Sequence, residues 1–370
     1  MKIRNYALTV TVALMSLNVA AEDFRFSGFG TVNGTYNSFD SQYMELREGL
    51  TSDGSKLGFF LSAKLNDKLV FSSQILNKQS PTGRETEFRW VNLAYSVTPH
   101  VTFRIGKMPL TDRAIGDINY SNIWNNEPGE YFYQLMVRSF DGAQIGYEHT
   151  FKNGYRLETE FNAGEGDVST KLDYLVPGVE MNVAGTGMVA LMTTLRSSDS
   201  KFMFSYMTGD QEVIIDENSQ LLILKALREG KLNEDALLPA ENATLKNIYM
   251  SYARDIGVDY SFYSGLTYAS TDNPIFTPQY GYFAALTRHF DDFSVHYTYA
   301  GQREKVRVTD EWTSTQRSHK IGLTYNISYD SNIRFETSYI ETTSPSNDNF
   351  VMRLPQAKGY VSSVAYNFIF

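Results

Sequence analysis

The feature that most constrains this chain is its rhythm. Short segments of about ten residues alternate apolar and polar positions, and the connections between them are alternately short and long. In SKLGFFLSAKL, Leu57, Phe59, Leu61 and Ala63 share one face, opposite Lys56, Gly58, Ser62 and Lys64. In GYRLETEF, Tyr155, Leu157, Thr159 and Phe161 oppose Arg156, Glu158 and Glu160. FSVHYTYAG and NIRFETSYI repeat the pattern with Phe293, Val295, Tyr297 and Tyr299, and with Ile333, Phe335 and Tyr339. A period of two is the signature of a strand with one apolar face. A soluble sandwich shares that signature, so the connections decide.

Tight turns fall at Asn66-Asp67, Thr98-Pro99, Lys152-Asn153-Gly154, Ser198-Asp199, Asp255-Ile256-Gly257, Asp291-Asp292 and Asp330-Ser331. Long connections are expected near 40–54, 78–85, 107–138, 164–185, 209–244, 270–278, 304–315 and 342–357. The count is about sixteen strands, with short turns at one end and long loops at the other, which is the grammar of a transmembrane antiparallel β-barrel. In lipid every backbone N–H and C=O needs a protein partner, so such a sheet must close without edges. The sequence finishes on Val364, Tyr366, Phe368 and Phe370, alternating with Ser363, Ala365 and Asn367. Closure predicts that this aromatic strand zips against a first strand near 24–38. Phe24, Phe26, Phe151, Tyr155, Phe290, Phe293 and Phe368 then fall near the short-turn rim. Tyr36, Tyr268, Tyr282, Tyr299 and Tyr339 fall near the loop rim, as an aromatic girdle requires.

Residues 1–21 read as a secretory signal peptide: Lys2 and Arg4, an apolar run from Tyr6 to Leu17, and Val19 and Ala21 before a cleavage ahead of Glu22. The apolar run is shorter than the roughly 20 residues of a spanning helix. Residues 22–370 are then one barrel domain. Composition agrees: 25 Tyr and 24 Phe, but no later apolar run of spanning length. There is no cysteine, so extensive backbone pairing must hold the fold. The net charge of −9 argues against nucleic-acid binding, and becomes −11 without Lys2 and Arg4.

Over nearly its whole length after the signal, the sequence resembles a Gram-negative outer-membrane general-diffusion porin. The resemblance is carried by FRFSGFGTVNGTY, KLGFFLSAKLNDKLVFSSQI, WVNLAYSVTPHVTFRIGKM, DGAQIGYEHTF and the final AYNFIF. NIWNNEPGEYFY is similar to a third-loop pattern of gamma-proteobacterial porins. The resemblance implies a sixteen-stranded barrel, usually a homotrimer, with the third loop folded inward. It places the chain in the outer membrane among lipids and lipopolysaccharide. It also implies that Tyr366, Phe368 and Phe370 form a signal read by the outer-membrane assembly machinery. The implied function is a water-filled channel for passive diffusion of small hydrophilic solutes and ions, not an enzyme.

The third loop, about 107–138, is too long for an ordinary hairpin. Its Asp112, Asp117, Glu127 and Glu130 are candidate constriction residues, facing Arg89, Arg104, Lys320 and Arg334 on the wall. The phase of the fourth strand, which carries Arg89, is ambiguous. Acids facing bases across a narrow opening would set a transverse field, and the acids would tip it toward weak cation preference. The alternative is a substrate-specific sugar or anion channel. A sugar channel would show a ladder of inward aromatics; Phe29, Phe60 and Tyr263 are inward without an evident line. An anion channel would show dense inward Arg and Lys, which Glu148, Glu158, Glu160 and Glu336 dilute.

Other motifs carry less. GFGTVNG, with Gly28, Gly30 and Gly34, has neither the spacing nor the helix of a phosphate loop, and its small outward face suits subunit contact. His100, His149, His289, His296 and His319 are scattered without metal-ligand spacing, and no cofactor is implied. Residues 216–232, inside the long fifth loop of about 209–244, read as a helix over the barrel rim.

Overall fold

The computed structural model describes residues 23–39, 48–80, 83–109, 124–125, 139–171, 180–215, 217–229, 243–272, 278–305, 312–342 and 357–370. The expected signal peptide, 1–21, lies outside the described residues, as does most of the 107–138 connection.

Seventeen strands form one antiparallel sheet. They are β1 Asp23–Asn37, β2 Gly49–Thr51, β3 Lys56–Asn66, β4 Leu69–Ser80, β5 Gly83–Ser96 and β6 Val101–Pro109. Then follow β7 Ser139–Thr150, β8 Arg156–Lys171, β9 Glu180–Arg196, β10 Ser200–Ile215, β11 Ala243–Ile256 and β12 Tyr260–Thr271. The last five are β13 Gln279–His289, β14 Phe293–Lys305, β15 Trp312–Ser328, β16 Ser331–Thr342 and β17 Ala357–Ile369. Both β2 and β3 pair with β1, at its two ends, so they share one place in the wall and the barrel has sixteen staves. The turn at 52–55 that separates them is tied to β4, where Gln79 N–H donates to the Ser55 carbonyl at 2.7 Å.

Each stave pairs with its neighbours in sequence, and the sheet closes where β1 meets β17, from Phe29↔Ile369 to Asn37↔Val361. Gly28 and Phe370 exchange a further pair of backbone hydrogen bonds at 2.8 and 2.9 Å. Phe370 is thus held by the first strand, and the seam leaves no open edge. The seven tight turns occur at or beside the expected positions; the one expected at 255–257 falls at 257–259, because Asp255 and Ile256 end β11. Gly154 sits in one with φ +85°, a left-handed conformation that costs glycine nothing.

Alternation sorts the side chains. Val32, Tyr36, Phe335, Val364 and Tyr366 point outward and are exposed, while Asn33, Thr35, Arg334, Glu336 and Ser363 point inward and are buried. The outward seam is aromatic: Phe59 lies 6.0 Å from both Phe26 and Phe370, and Phe368 lies 6.2 Å from Phe370.

Several expectations change. Parts of the expected 164–185 and 209–244 connections are strand, since β8 runs to Lys171, β9 starts at Glu180 and β10 runs to Ile215. The connection at 78–85 is almost all strand, since Ser80 pairs with Gly83 and the hairpin keeps only two residues between them. The 40–54 connection likewise contains β2. The small outward face of β1 is filled from within the chain at two of its glycines: a Cβ on Gly28 would meet the Phe370 ring at 2.3 Å, and one on Gly30 the Phe368 ring at 2.3 Å, whereas nothing lies within 4 Å of one on Gly34. Gly28 and Gly30 thus make room for the closing strand's own rings.

The wall is uneven in height. β8, β9 and β10 run 16, 17 and 16 residues, whereas β6 stops after 9 at Pro109, where the long third connection leaves. Within the fifth connection, α1 forms over Glu217–Arg228. Glu217 in its first turn and Lys225 and Arg228 in its last suit the helix dipole. Leu221 and Leu224 on this helix are exposed.

Candidate functional site

The inner wall of the barrel is built from every second residue of every stave, and it has two chemically different arcs. The first runs through β9 to β13. Met188, Met192, Met203, Met207, Leu245, Tyr249 and Phe283 are buried there, and Met108 and Phe140 from β6 and β7 join them. The second arc runs through β14 to β17 and into β1. It carries His296, Gln302, Glu304, Lys320, Arg334, Glu336, Ser363 and Asn33. Register contributes to the segregation. Met192↔Ser205 and Met207↔Ala190 set each thioether against a small residue across the ladder, and Thr298↔Lys320↔Ser338 and Thr324↔Arg334 keep polar groups together.

Two residues of the third connection are described, and both lie on this wall. Trp124 is 3 % exposed. Its ring meets Phe283 edge-on at 5.3 Å and Tyr263 at 5.8 Å, on the apolar arc. Its Nε1–H donates to Thr298 Oγ1 at 2.8 Å, and its carbonyl accepts from Arg334 Nη1 at 2.9 Å, on the polar arc. Asn125 continues the contact: its N–H donates to Glu336 Oε2 at 3.1 Å, and its Nδ2 donates to the Arg334 carbonyl at 3.1 Å and to Ser363 Oγ at 3.0 Å. The pair thus straddles the boundary between the arcs.

The candidate wall bases are placed as follows. Arg104 faces inward and binds Gln144 Oε1 and Glu160, the latter at 3.4 Å. Gln144 donates in turn to Glu160 at 3.2 Å and to Asn162 at 2.7 Å. Lys320 is buried on the polar arc and donates to Ser338 Oγ at 3.2 Å. Arg334 is buried there too, with Nε on Thr324 Oγ1 at 3.1 Å. Arg89 sits at a β-bulge: Gln74 pairs with Trp90 and Ile75 with Phe88, which leaves Arg89 between them. That extra residue is why alternation alone leaves the phase of this stave open. Arg89 reaches Glu87 at 3.3 Å. The structure brings Lys320 and Arg334 onto one arc, while Arg89 and Arg104 lie elsewhere on the wall. The candidate loop acids Asp112, Asp117, Glu127 and Glu130 lie outside the described residues. Tyr366, Phe368 and Phe370 line one outward row of the closing strand, with Tyr366 and Phe368 stacked at 5.7 Å.

Sequence reasoning missed Glu336 as an anchor, Trp124 as a wall contact and the whole apolar arc. The arc left a signal: Met188 and Met192, then Met203 and Met207, recur at even spacing and so share a face. His296 is buried with Nε2 3.6 Å from Glu336. Among the described residues no group of three or more His, Cys, Asp or Glu is placed to hold a metal ion.

No family model matches this chain, and no curated protein sequence matches it. Solved structures do. The outer-membrane expressed OmpT of Vibrio cholerae superposes with TM-score 0.59 at 12 % identity, covering 96 % of this chain and 99 % of its own. An anion-selective porin from Comamonas acidovorans gives 0.59 at 11 %, covering 94 % and 99 %. OmpF of Salmonella typhi, in complex with daunomycin, gives 0.58 at 10 %, covering 95 % and 98 %. At such identities the likeness is one of architecture, and it spans the barrel from first stave to last. The chain has the fold of a sixteen-stranded outer-membrane porin.

Proposed function

We propose that this chain forms a water-filled channel in the outer membrane of a Gram-negative bacterium, for passive diffusion of small hydrophilic solutes and ions. The observation that carries the reading is the docking of Trp124 and Asn125 on the inner wall of a closed barrel. It supports a third loop, 107–138, that dips inside and narrows the path. An apolar outer band with a largely polar inner wall suits a barrel that faces lipid outside and water inside.

Selectivity follows from charge pairing. Several inward bases have local partners: Arg104 with Glu160, Arg89 with Glu87, and Arg156 with Glu148 at 2.7 Å and Glu158 at 2.9 Å. Their fields are largely cancelled at the range over which a passing ion is drawn in. The loop acids Asp112, Asp117, Glu127 and Glu130, at a narrow point where salt screens poorly, then give a weak cation preference. Export by the 1–21 signal peptide and assembly through Phe370 complete the reading. A homotrimer is part of it, in line with a Vibrio cholerae OmpT structure described as a trimer form.

The test is the reversal potential of the purified protein in a salt gradient across a planar bilayer. Neutralising Asp112, Asp117, Glu127 and Glu130 together should move it toward anions, and Arg104→Ala should move it the other way. An unchanged potential in the quadruple variant would remove the loop from the selectivity argument.

A further inference from the structure

One row of the inner wall is unlike the rest. Across four neighbouring staves, Ser27 on β1 pairs with Phe60 on β3, Phe60 with Gln74 on β4, and Gln74 with Trp90 on β5. One side-chain amide is therefore flanked by two aromatic rings at one height, and the rings' centroids are 6.1 Å apart. The bulge at Arg89 sets this up, because it shifts the phase of β5 so that Trp90 takes the inward place beside Gln74. Phe29 extends the aromatic surface. Gly58 leaves its ring that position, since a Cβ there would meet it at 2.3 Å.

These residues line a cavity of about 420 Å³ at the short-turn end of the wall, beside Asp330 in the turn between β15 and β16. Small-molecule sites span roughly 300–1,000 Å³. Gln74 is 5 % exposed, and its Oε1 is buried without a hydrogen-bond partner. A buried carbonyl oxygen left unmatched calls for an explanation. Gln74 itself lines the cavity, and the terminal torsion of glutamine is broad, so rotation about it can aim this oxygen at an occupant. The site thus offers flat apolar rings, an amide acceptor, the Ser27 hydroxyl and the Asp330 carboxylate.

We infer that this cavity binds a saccharide ring. A pyranose has an apolar C–H face that lies on an aromatic ring and equatorial hydroxyls that donate to amide and carboxylate oxygens. Among the described residues no base lines the cavity, which disfavours a phosphate or a carboxylate as the occupant. Diffusing neutral sugar would pause here on its way through the barrel. The inference rests on the channel reading for its role, and on the cavity alone for binding.

Two measurements separate those dependences. In a planar bilayer, maltose should reduce the current of the wild type saturably, while glycerol at matched viscosity should reduce it in simple proportion to viscosity. Gln74→Leu, and separately Trp90→Leu, should raise the half-blocking maltose concentration about tenfold, as expected for one lost hydrogen bond or ring contact. Calorimetric titration of maltose into the detergent-solubilised protein tests binding without any channel, and the same variants should weaken it alike. Heat-modifiable migration on gels confirms that each variant is folded, and Gln74→Leu preserves the side chain's bulk if Trp90→Leu fails that check. Bilayers without current but with calorimetric binding would overturn the channel and keep the site. No calorimetric binding in the wild type, or binding equal in wild type and folded variants, would overturn the site.

Discussion

The two arcs of the inner wall respond to the same loop in opposite ways. On β9 to β13 the wall meets the ring of Trp124 with Phe283 and Tyr263, and on β14 to β17 it meets the backbone with Arg334 and Glu336. The apolar arc supplies a surface that loses little by losing water. The polar arc supplies direction, because a charge-assisted hydrogen bond is strong only in a narrow geometry. Neither alone would place a loop: apolar packing permits sliding, and buried charge without fixed partners is costly. The difference teaches that this inner wall is a divided surface, with Trp124 and Asn125 at the boundary.

The sharpest way to break this comparison is to put the same charge on each arc. Met203 on the apolar arc is fully buried among Met192, Tyr249 and Trp124. Met203→Glu should destabilise the barrel by about 3 kcal/mol or more, the cost of an unpaired buried charge. Ser338→Asp on the polar arc, beside Lys320, should cost far less because it gains a partner. Urea unfolding in detergent or lipid, followed by loss of the heat-modifiable band, measures both. Equal losses would mean that the arcs do not differ.

Next in size is the ring itself. Trp124→Ala removes an indole buried on the apolar arc and should cost about 3–5 kcal/mol if the wall does not relax. Trp124→Phe keeps an aromatic ring and loses the donor to Thr298, so about 1 kcal/mol is expected. Arg334→Met sharpens the other half: it retains bulk but removes the bonds to the Trp124 carbonyl and Thr324. The expected loss is about 1.5–3 kcal/mol per charged hydrogen bond. Its channel should flicker more than that of Trp124→Phe.

The smallest effect lies in the turns. A hydrogen bond from Lys64, at 2.8 Å, holds the Asp67 carboxyl below the usual carboxylate range. The folded pKa lies below the unfolded one. The contact therefore stabilises at neutral pH; its contribution is full above the unfolded Asp value of about 3.9 and is lost below it, as pH falls through the depressed folded pKa. Asp67 is fully exposed, so Asp67→Asn should change only the difference between melts at pH 7 and pH 3, and only slightly.

Particular residues show why some of this was legible in the sequence. Most of each stave from β14 to β17 alternates, with register shifts only near Gln302 and Asn326, and Asp, Asn or Gly mark every tight turn except the one at Thr98-Pro99, so stave number, closure and the aromatic seam follow from local pattern. On β9, GMVALMTTL is apolar on both faces, so alternation there cannot say which side is the lumen. On β5 the bulge at Arg89 breaks the period. The anchor of the third loop is hidden for a different reason: Trp124 and Thr298 are 174 residues apart, and Asn125 and Ser363 are 238 apart. Local chemistry does not specify such pairings; barrel closure creates them. The row Ser27, Phe60, Gln74 and Trp90 is of the same kind, since only register across four staves assembles it.

The central claim is that the barrel encloses a water-filled path narrowed by a loop anchored at Trp124. Polymer-exclusion recording in planar bilayers tests it most directly, by finding the largest polyethylene glycol that still enters the channel and lowers its conductance. The account predicts stable conductance steps for the wild type, with a larger exclusion size and conductance for folded Trp124→Ala. A wild-type barrel that is folded by heat-modifiability yet passes no ions would contradict it, as would an exclusion size that Trp124→Ala leaves unchanged.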